Sequence, residues 1–194
     1  MSPDEKAAAK TLLIAGGGTG GHVFPALAVA KEWLRRGSGA AGERQVVFVG
    51  TERGIEARLV PQAGLPLEFI RVAGLKGIGG TKFLRNAAML PAGLWDSEKI
   101  VRRHRVSAAL GVGGYASGPM ILVAALHGIP TVVFEPNVEP GFTNRVLARL
   151  ASRVAVAYAP TAARFGSKAV VTGCPVRQEF FAIRKRSIER HSIC

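Results

Sequence analysis

The chain has 194 residues, of which 48% are hydrophobic and 20% are charged, so it can form an apolar core and is not an intrinsically disordered protein. Its formal net charge of +13 indicates an anionic partner, such as a phosphorylated ligand, an anionic membrane surface or a nucleic acid. The two cysteines form no metal-ligand pattern and the N-terminus contains no apolar signal segment, which favours one large cytoplasmic domain.

Short β-branched runs alternate with longer segments rich in Ala and Leu, a pattern typical of βαβ units around a parallel sheet. Pro91 lies within the third helical segment and predicts a kink or a break there. The expected fold class is therefore α/β, a Rossmann-like parallel sheet with helices on both faces. The predicted strands are 11–15, 45–49, 67–72, 108–112, 131–134, 154–157 and 169–172. The predicted helices are 24–36, 55–62, 81–103, 119–127 and 142–150, with a loop over 37–42.

The first glycine-rich loop, residues 16–22 (GGGTGGH), joins the first predicted strand to the first helix. Such a loop lets the backbone approach a ligand, and the following helix N-terminus favours an anion. A Walker A loop is excluded because His22 and Val23 stand where Lys and Ser/Thr are needed. The glycines formally match a dinucleotide fingerprint, but Glu52 is the only nearby candidate for its ribose-binding acid. A phosphate-bearing ligand is expected, and a dinucleotide stays an alternative.

His22 is a candidate catalytic residue at the end of this loop. Its imidazole could bind a phosphate oxygen or exchange a proton with a sugar hydroxyl near neutral pH. The alternative is a polar residue of the first helical turn without a role in chemistry.

A second glycine-rich loop, residues 111–119 (GVGGYASGP), again joins a strand to a helix. Loops at the carboxyl ends of parallel strands face one crevice, so both loops are expected to line the same ligand site. The alternative is a tight turn with close packing of the helix on the sheet. The candidate binding residues of this loop are Gly113, Gly114, Tyr115 and Ser117.

Glu135 and Asn137 follow the predicted strand 131–134 and should lie at the same edge of the sheet. They offer a carboxylate and an amide to a ligand. Asn137 could instead cap the following turn.

In a basic and apolar segment, residues 75–95, apolar residues alternate with the cations Lys76, Lys82 and Arg85. This pattern suits a surface that enters the headgroup region of an anionic membrane, and it equally suits an amphipathic helix with a solvated basic face. The residues predicted to form the membrane patch are Lys76, Lys82, Phe83, Leu84, Arg85 and Trp95.

Taken together, residues of about 11–181 resemble the N-terminal half of the MurG family. That family transfers N-acetylglucosamine from UDP-N-acetylglucosamine to undecaprenyl-pyrophosphoryl-N-acetylmuramoyl-pentapeptide (lipid I), forming lipid II in peptidoglycan synthesis. The matching segments are GGGTGGHVFPALAVA (16–30), VGTERGIEARLVPQAG (49–64), AGLKGIGG (73–80), LGVGGYASGP (110–119), FEPN (134–137) and TGCPVR (172–177).

The resemblance implies the N-terminal, acceptor-side half of a GT-B glycosyltransferase, peripheral on the cytoplasmic face of the inner membrane. It implies an inverting hexosyltransferase with UDP-N-acetylglucosamine, lipid I and an anionic membrane surface as partners and with no cofactor. No metal and no nucleic-acid partner are expected, because the sequence contains no motif for either. Residues 1–10 would be an N-terminal extension, 11–181 the Rossmann-like domain and 182–194 an aberrant tail of a truncated or frameshifted product. The C-terminal domain, which contacts most of UDP-N-acetylglucosamine, would be missing. Little or no transferase activity is expected from this chain alone.

The resemblance also assigns candidate roles to individual residues. Thr19, Gly20 and Gly21 match the family's loop at the cleft, and His22 matches a histidine that could act as general base or orient the acceptor. Asn137 matches an asparagine that contacts the donor sugar, whereas Glu135 is a weaker catalytic candidate.

Arg177 matches the arginine of the family's GNPVR motif. Phe134 and Pro136 replace the His and Gln of its HEQN motif, and Cys174 replaces the Asn of GNPVR, so polar contacts at these three positions are in question. The alternatives are another GT-B lipid glycosyltransferase and a dinucleotide-binding Rossmann domain.

Overall fold

The computed structural model describes residues 9–37, 43–74 and 80–176, without the side chains of Lys82, Phe83, Arg85 and Ala87. Residues 1–8 of the predicted extension, most of the predicted loop 37–42, Lys76, Arg177 and the tail 182–194 lie outside the described residues.

The described part of the chain contains one sheet of seven parallel strands in the order β3-β2-β1-β4-β5-β6-β7. This order is that of a doubly wound fold, in which the direction of winding reverses between β1 and β4. The predicted strand 67–72 is wrong in length: β3 pairs only with Phe48–Gly50, and its ladder stops where β2 ends. The strands are β1 (Lys10–Ala15), β2 (Arg44–Gly50), β3 (Leu67–Phe69), β4 (Val106–Gly111), β5 (Thr131–Glu135), β6 (Arg153–Val156) and β7 (Ala169–Val171).

The predicted long helix 81–103 is two helices, with Pro91 in the first turn of the second. Proline is tolerated there because the first helical N–H groups have no intrahelical acceptor. For the same reason Pro119 lies inside the first turn of a helix that begins at Ser117, two residues before the predicted start. The helices are α1 (Gly20–Arg35), α2 (Glu56–Gln62), α3 (Gly80–Ala87), α4 (Leu90–His104), α5 (Ser117–Leu126), α6 (Phe142–Leu147) and α7 (Ala159–Ala162).

Apolar side chains lie on both faces of the sheet, as predicted for strands covered by helices. Along β1, Leu12 and Ile14 pack in a cluster with residues of α1 and α2, whereas Leu13 and Ala15 pack in a second cluster with residues of α4 and α5. Both faces of the central strands are therefore buried. The fold class inferred from the sequence is confirmed.

Candidate active site

The predicted catalytic and binding residues that the structure describes, apart from Ser117, come together at the carboxyl ends of β1, β4 and β5. The loops after β1 and β4 flank the point where strand order reverses, which is where open α/β sheets bind ligands. The crevice there is built by two glycine-rich loops, the start of α1 and the segment after β5.

The first loop uses its own N–H groups to fix its shape. Gly16, Gly17 and Gly18 have φ values of +140°, +154° and +84°, which favour glycine. The Gly16 N–H donates to the end of β2 at 3.0 Å, and the Gly17 N–H donates to the Gly113 carbonyl at 3.2 Å. The Gly18 N–H donates to the Glu56 carboxylate at 2.8 Å. These three donors are therefore engaged within the protein.

The N–H groups that remain for an anion belong to the start of α1. Thr19 precedes the helix without a side-chain capping bond, and Gly20 and Gly21 occupy its first turn, where N–H groups have no intrahelical acceptor. Thr19 and Gly21 are exposed to the cleft side of the loop. The N–H groups that are free to bind an anion therefore belong to Gly20 and Gly21, shortly after the tight glycine turn.

His22 is held in a defined orientation beside both loops. Its Nδ1 lies 3.1 Å from the Gly17 carbonyl oxygen and 3.3 Å from Thr19 Oγ1. Because a carbonyl oxygen only accepts, Nδ1 carries the hydrogen in neutral imidazole and Nε2 keeps its lone pair. A Cβ atom at Gly113 would lie 2.8 Å from Nε2, so only glycine leaves room for the ring in this position.

The second loop packs directly against the first. Gly113 and Gly114 have φ values of +98° and +83°, and a Cβ atom at Gly114 would lie 2.7 Å from the Gly17 carbonyl oxygen. Ser117 is fully buried and its hydroxyl donates to the Ala15 carbonyl at 2.7 Å, with the Gly113 N–H donating to it at 3.1 Å. Ser117 therefore joins the end of β1 to the second loop and does not line the cleft.

Tyr115 is the side chain that this loop presents to solvent, with 59% of the residue exposed. Its ring lies so close to Gly74 that a Cβ atom there would overlap it. Gly74 thereby provides the space in which the tyrosine ring stands at the mouth of the cleft.

Glu135 is fully buried and organises the segment after β5. Its Oε1 accepts from the N–H and the side-chain amide of Asn137, both at 2.9 Å. Its Oε2 accepts from the Gly141 N–H at 2.9 Å and from the Asn144 side chain at 3.0 Å. All four bonds hold this segment, while Asn137 itself is exposed at the cleft.

Three positions depart from the family's motifs, and the structure explains the residue at one of them. Phe134 packs in the apolar cluster between the sheet and α1, so an aromatic side chain suits it. Cys174 lies at the cleft, where burial raises the pKa of its thiol. Pro136 lines the cleft and offers it no hydrogen-bond donor.

The residues at the cleft line two adjoining cavities. An inner cavity of about 380 Å³ lies between the two loops and the segment after β5, and an outer cavity of about 740 Å³ continues past the start of α1. His22, Thr19 and Asn137 line both. Among the described residues that line them, none is Lys or Arg. The inner cavity instead presents hydroxyl, amide, imidazole and aromatic groups together with the side chains of Glu56 and Glu135.

A larger groove of about 960 Å³ runs between α1 and α2 and contains no predicted site residue. Several residues of the inner cavity were not predicted as site residues from the sequence, among them Thr51, Glu56 and Asn144. Glu56 lies within a motif that matched the family, but its contact with Gly18 joins residues 38 positions apart and leaves no local sequence signal.

A known protein family matches the part of the chain that contains both glycine-rich loops. The pattern of the glycosyltransferase family 28 N-terminal domain matches residues 12–156. The chain belongs to glycosyltransferase family 28. The resemblance drawn from the sequence motifs is confirmed.

Curated relatives include the UDP-N-acetylglucosamine--N-acetylmuramyl-(pentapeptide) pyrophosphoryl-undecaprenol N-acetylglucosamine transferase of Pelobacter propionicus, 50% identical over 169 residues. The protein of the same name from an Anaeromyxobacter species is 48% identical over 181 residues. These matches cover 87% and 93% of the chain, but only 44% and 46% of the relatives. The chain thus spans about half the length of the curated relatives that it matches.

The chain also matches about half the length of similar proteins of known structure. Acinetobacter baumannii MurG has a TM-score of 0.72 and 34% identity, with 87% of this chain and 47% of that chain covered. UDP-GlcNAc 2-epimerase of Neisseria meningitidis has a TM-score of 0.63 at 15% identity, with 95% of this chain and 51% of that chain covered, which shows a shared fold alone. The family 28 domain is therefore the N-terminal, Rossmann-like half of a GT-B architecture.

The described helices of the family 28 domain include none long and apolar enough to cross a membrane.

Proposed function

We propose that this family 28 domain is the acceptor-binding half of a transferase that moves N-acetylglucosamine from UDP-N-acetylglucosamine to lipid I. The observation that carries the proposal is the high identity with relatives named for that reaction. Support comes from the cleft, which combines helix N–H donors, an oriented imidazole and a cavity lined by hydroxyl, amide and aromatic groups that could bind a sugar.

The acceptor's pyrophosphate is placed, in this proposal, at the N–H groups of Thr19, Gly20 and Gly21. The partial positive charge of the α1 N-terminus favours an anion there. Arg177 directly follows Val176, which lines the outer cavity, and is proposed to supply a cation to the same ligand. The neutral sugar of the acceptor would then extend into the inner cavity, with Gly113, Gly114 and Tyr115 on one wall.

His22 is proposed as the general base. In an inverting transfer, the C4 hydroxyl of the acceptor sugar attacks the anomeric carbon of the donor while UDP leaves. Nε2 of His22 is available to take the hydroxyl proton because Nδ1 is bonded to the Gly17 carbonyl. Asn137 would contact the donor sugar, with its amide oriented by Glu135. Glu135 itself acts in this account as a positioning residue, since its oxygens are engaged by four donors.

The domain is proposed to meet an anionic membrane surface through α3 and the start of α4, on the cytoplasmic side of the inner membrane. Leu84 and Trp95 are 69% and 60% exposed, and the Lys99 ammonium lies 5.4 Å from the centre of the Trp95 ring. Exposed aromatic and aliphatic groups beside cations suit an interface with lipid headgroups.

An ion pair fixes this surface to the sheet. Asp96, next to Trp95, accepts bonds of 2.7–3.1 Å from the Arg71 backbone and guanidinium, beyond the end of β3. These bonds lower the pKa of the Asp96 carboxyl, so the pair stays charged at neutral pH.

Replacing Trp95 with alanine is expected to weaken binding to anionic vesicles about three- to tenfold, because a large apolar anchor is lost from the interface. Co-sedimentation with phosphatidylglycerol vesicles measures the effect. Val170→Ala, at the β7 edge of the sheet, removes a comparably exposed apolar side chain and should leave binding unchanged. Equal losses in both variants would contradict the assignment of the surface.

A chimeric enzyme tests the proposed reaction. Residues 1–177 are joined to the C-terminal half of the Pelobacter propionicus relative, and transfer of labelled N-acetylglucosamine to lipid I is measured. The chimera should form lipid II at least about 100-fold faster than either half alone, because both halves of the cleft are needed. A folded chimera that is inert, while the intact relative is active, would contradict the proposal. A panel of other lipid-linked sugars separates lipid I from a related acceptor.

A further inference from the structure

Glu56 is a buried carboxylate that contacts the first glycine-rich loop and that the proposed reaction does not use. It begins α2, is 2% exposed and lines the inner cavity. Its Oε2 accepts from the Gly18 N–H at 2.8 Å, and its Oε1 accepts from the N–H and hydroxyl of Thr51 at 3.0 and 3.1 Å.

The surrounding backbone is shaped for this carboxyl group. A Cβ atom at Gly17, Gly50 or Gly54 would overlap the Glu56 side chain. Gly17 belongs to the first loop, Gly50 ends β2, and Gly54 lies just before α2. Three glycines from three segments therefore enclose one carboxylate. Their lack of side chains leaves the space that this carboxylate occupies.

In Rossmann-like domains, the N–H groups of the first glycine-rich loop approach the pyrophosphate of a bound dinucleotide. Here the Gly18 N–H already binds an anion that belongs to the protein. A second anion at that position would lose this donor and would also be repelled by the buried carboxylate.

We propose that Glu56 is a specificity-determining residue that fills the phosphate position of the first loop with an internal carboxylate. It thereby confines a ligand's pyrophosphate to the N–H groups of Thr19, Gly20 and Gly21. It also prevents the loop from binding the pyrophosphate of a dinucleotide. The location of the pyrophosphate rests on the proposed function, whereas the occupation of Gly18 rests on Glu56 alone. The formal dinucleotide fingerprint in the sequence is, on this basis, a pattern without a dinucleotide site.

The test follows backbone amide resonances of the ¹⁵N-labelled full chain during titration with inorganic pyrophosphate. In the wild type, the Gly20 and Gly21 amides should shift and the Gly18 amide should not. In Glu56→Gln, which keeps the side-chain shape and removes the charge, Gly18 should also shift. Pyrophosphate affinity should then rise by about tenfold. Thr51→Val removes one bond to Glu56 but keeps the carboxylate, so Gly18 should stay unresponsive.

A wild-type shift at Gly18 as large as at Gly20 and Gly21 would overturn the proposal, and this arm needs no variant to fold. An unchanged affinity in folded Glu56→Gln would overturn it as well. If no amide of residues 19–21 responds in the wild type, the proposed pyrophosphate position is wrong. A gain at Gly18 in Glu56→Gln would still support the role of Glu56.

Discussion

Replacing His22 with alanine in the chimeric enzyme is expected to lower kcat about 10²- to 10⁴-fold, the range that a general base contributes. The acceptor hydroxyl must lose its proton as the new glycosidic bond forms. The only imidazole that lines the inner cavity among the described residues is that of His22. Its Nε2 lone pair is free for this step because the Gly17 carbonyl holds the hydrogen on Nδ1.

Steady-state kinetics with lipid I and UDP-N-acetylglucosamine measure the effect. The KM for lipid I should change little, since the helix N–H donors that bind pyrophosphate stay in place. Thr19→Val is the matched control: it removes the 3.3 Å contact with Nδ1 and keeps the Gly17 bond, so kcat should fall less than about tenfold. A His22→Ala chimera with normal kcat and a raised KM would assign His22 to acceptor binding instead of proton transfer.

Glu135→Ala should lower the free energy of unfolding by about 3–5 kcal/mol. The substitution leaves four hydrogen-bond donors without their acceptor, and each bond to a charged group is worth about 1.5–3 kcal/mol before water replaces part of it. Asn137 is exposed and its donors can be hydrated, whereas Asn144 is 3% exposed and its amide loses a partner in the interior. The site should therefore lose its order together with its stability.

Urea denaturation of the full chain measures this change. Glu139→Ala, two residues beyond Asn137, removes a carboxylate that is 70% exposed and pairs with Arg164 at the surface. That control should cost less than about 1 kcal/mol. Similar losses for both variants would show that the four bonds to Glu135 contribute little to the stability of the segment.

The sequence identified the two glycine-rich loops and their shared edge because each loop follows an apolar strand and precedes a helix. That rule depends on local pattern and on the handedness of parallel sheets. It placed His22, Gly113 and Asn137 at one cleft, as the structure does. The sequence also predicted the seven strands that the described residues form, but it extended the third strand beyond the point where its partner ends.

The roles of the buried polar groups could not be read from the sequence. Ser117 was predicted to bind a ligand, but its hydroxyl joins β1 to the second loop across 102 positions of the chain. Glu56 reaches the first loop across 38 positions. Such contacts depend on the packing of α2 and α5 against the sheet, which periodicity and composition do not determine.

The assignment of this domain to the acceptor side is tested most directly by measuring the binding of two ligands to the full chain in detergent micelles. The first ligand is lipid I and the second is UDP-N-acetylglucosamine. The acceptor-side assignment predicts saturable binding of lipid I, competition by undecaprenyl pyrophosphate, and no measurable binding of UDP-N-acetylglucosamine in the same concentration range. Binding of UDP-N-acetylglucosamine without binding of lipid I would contradict it.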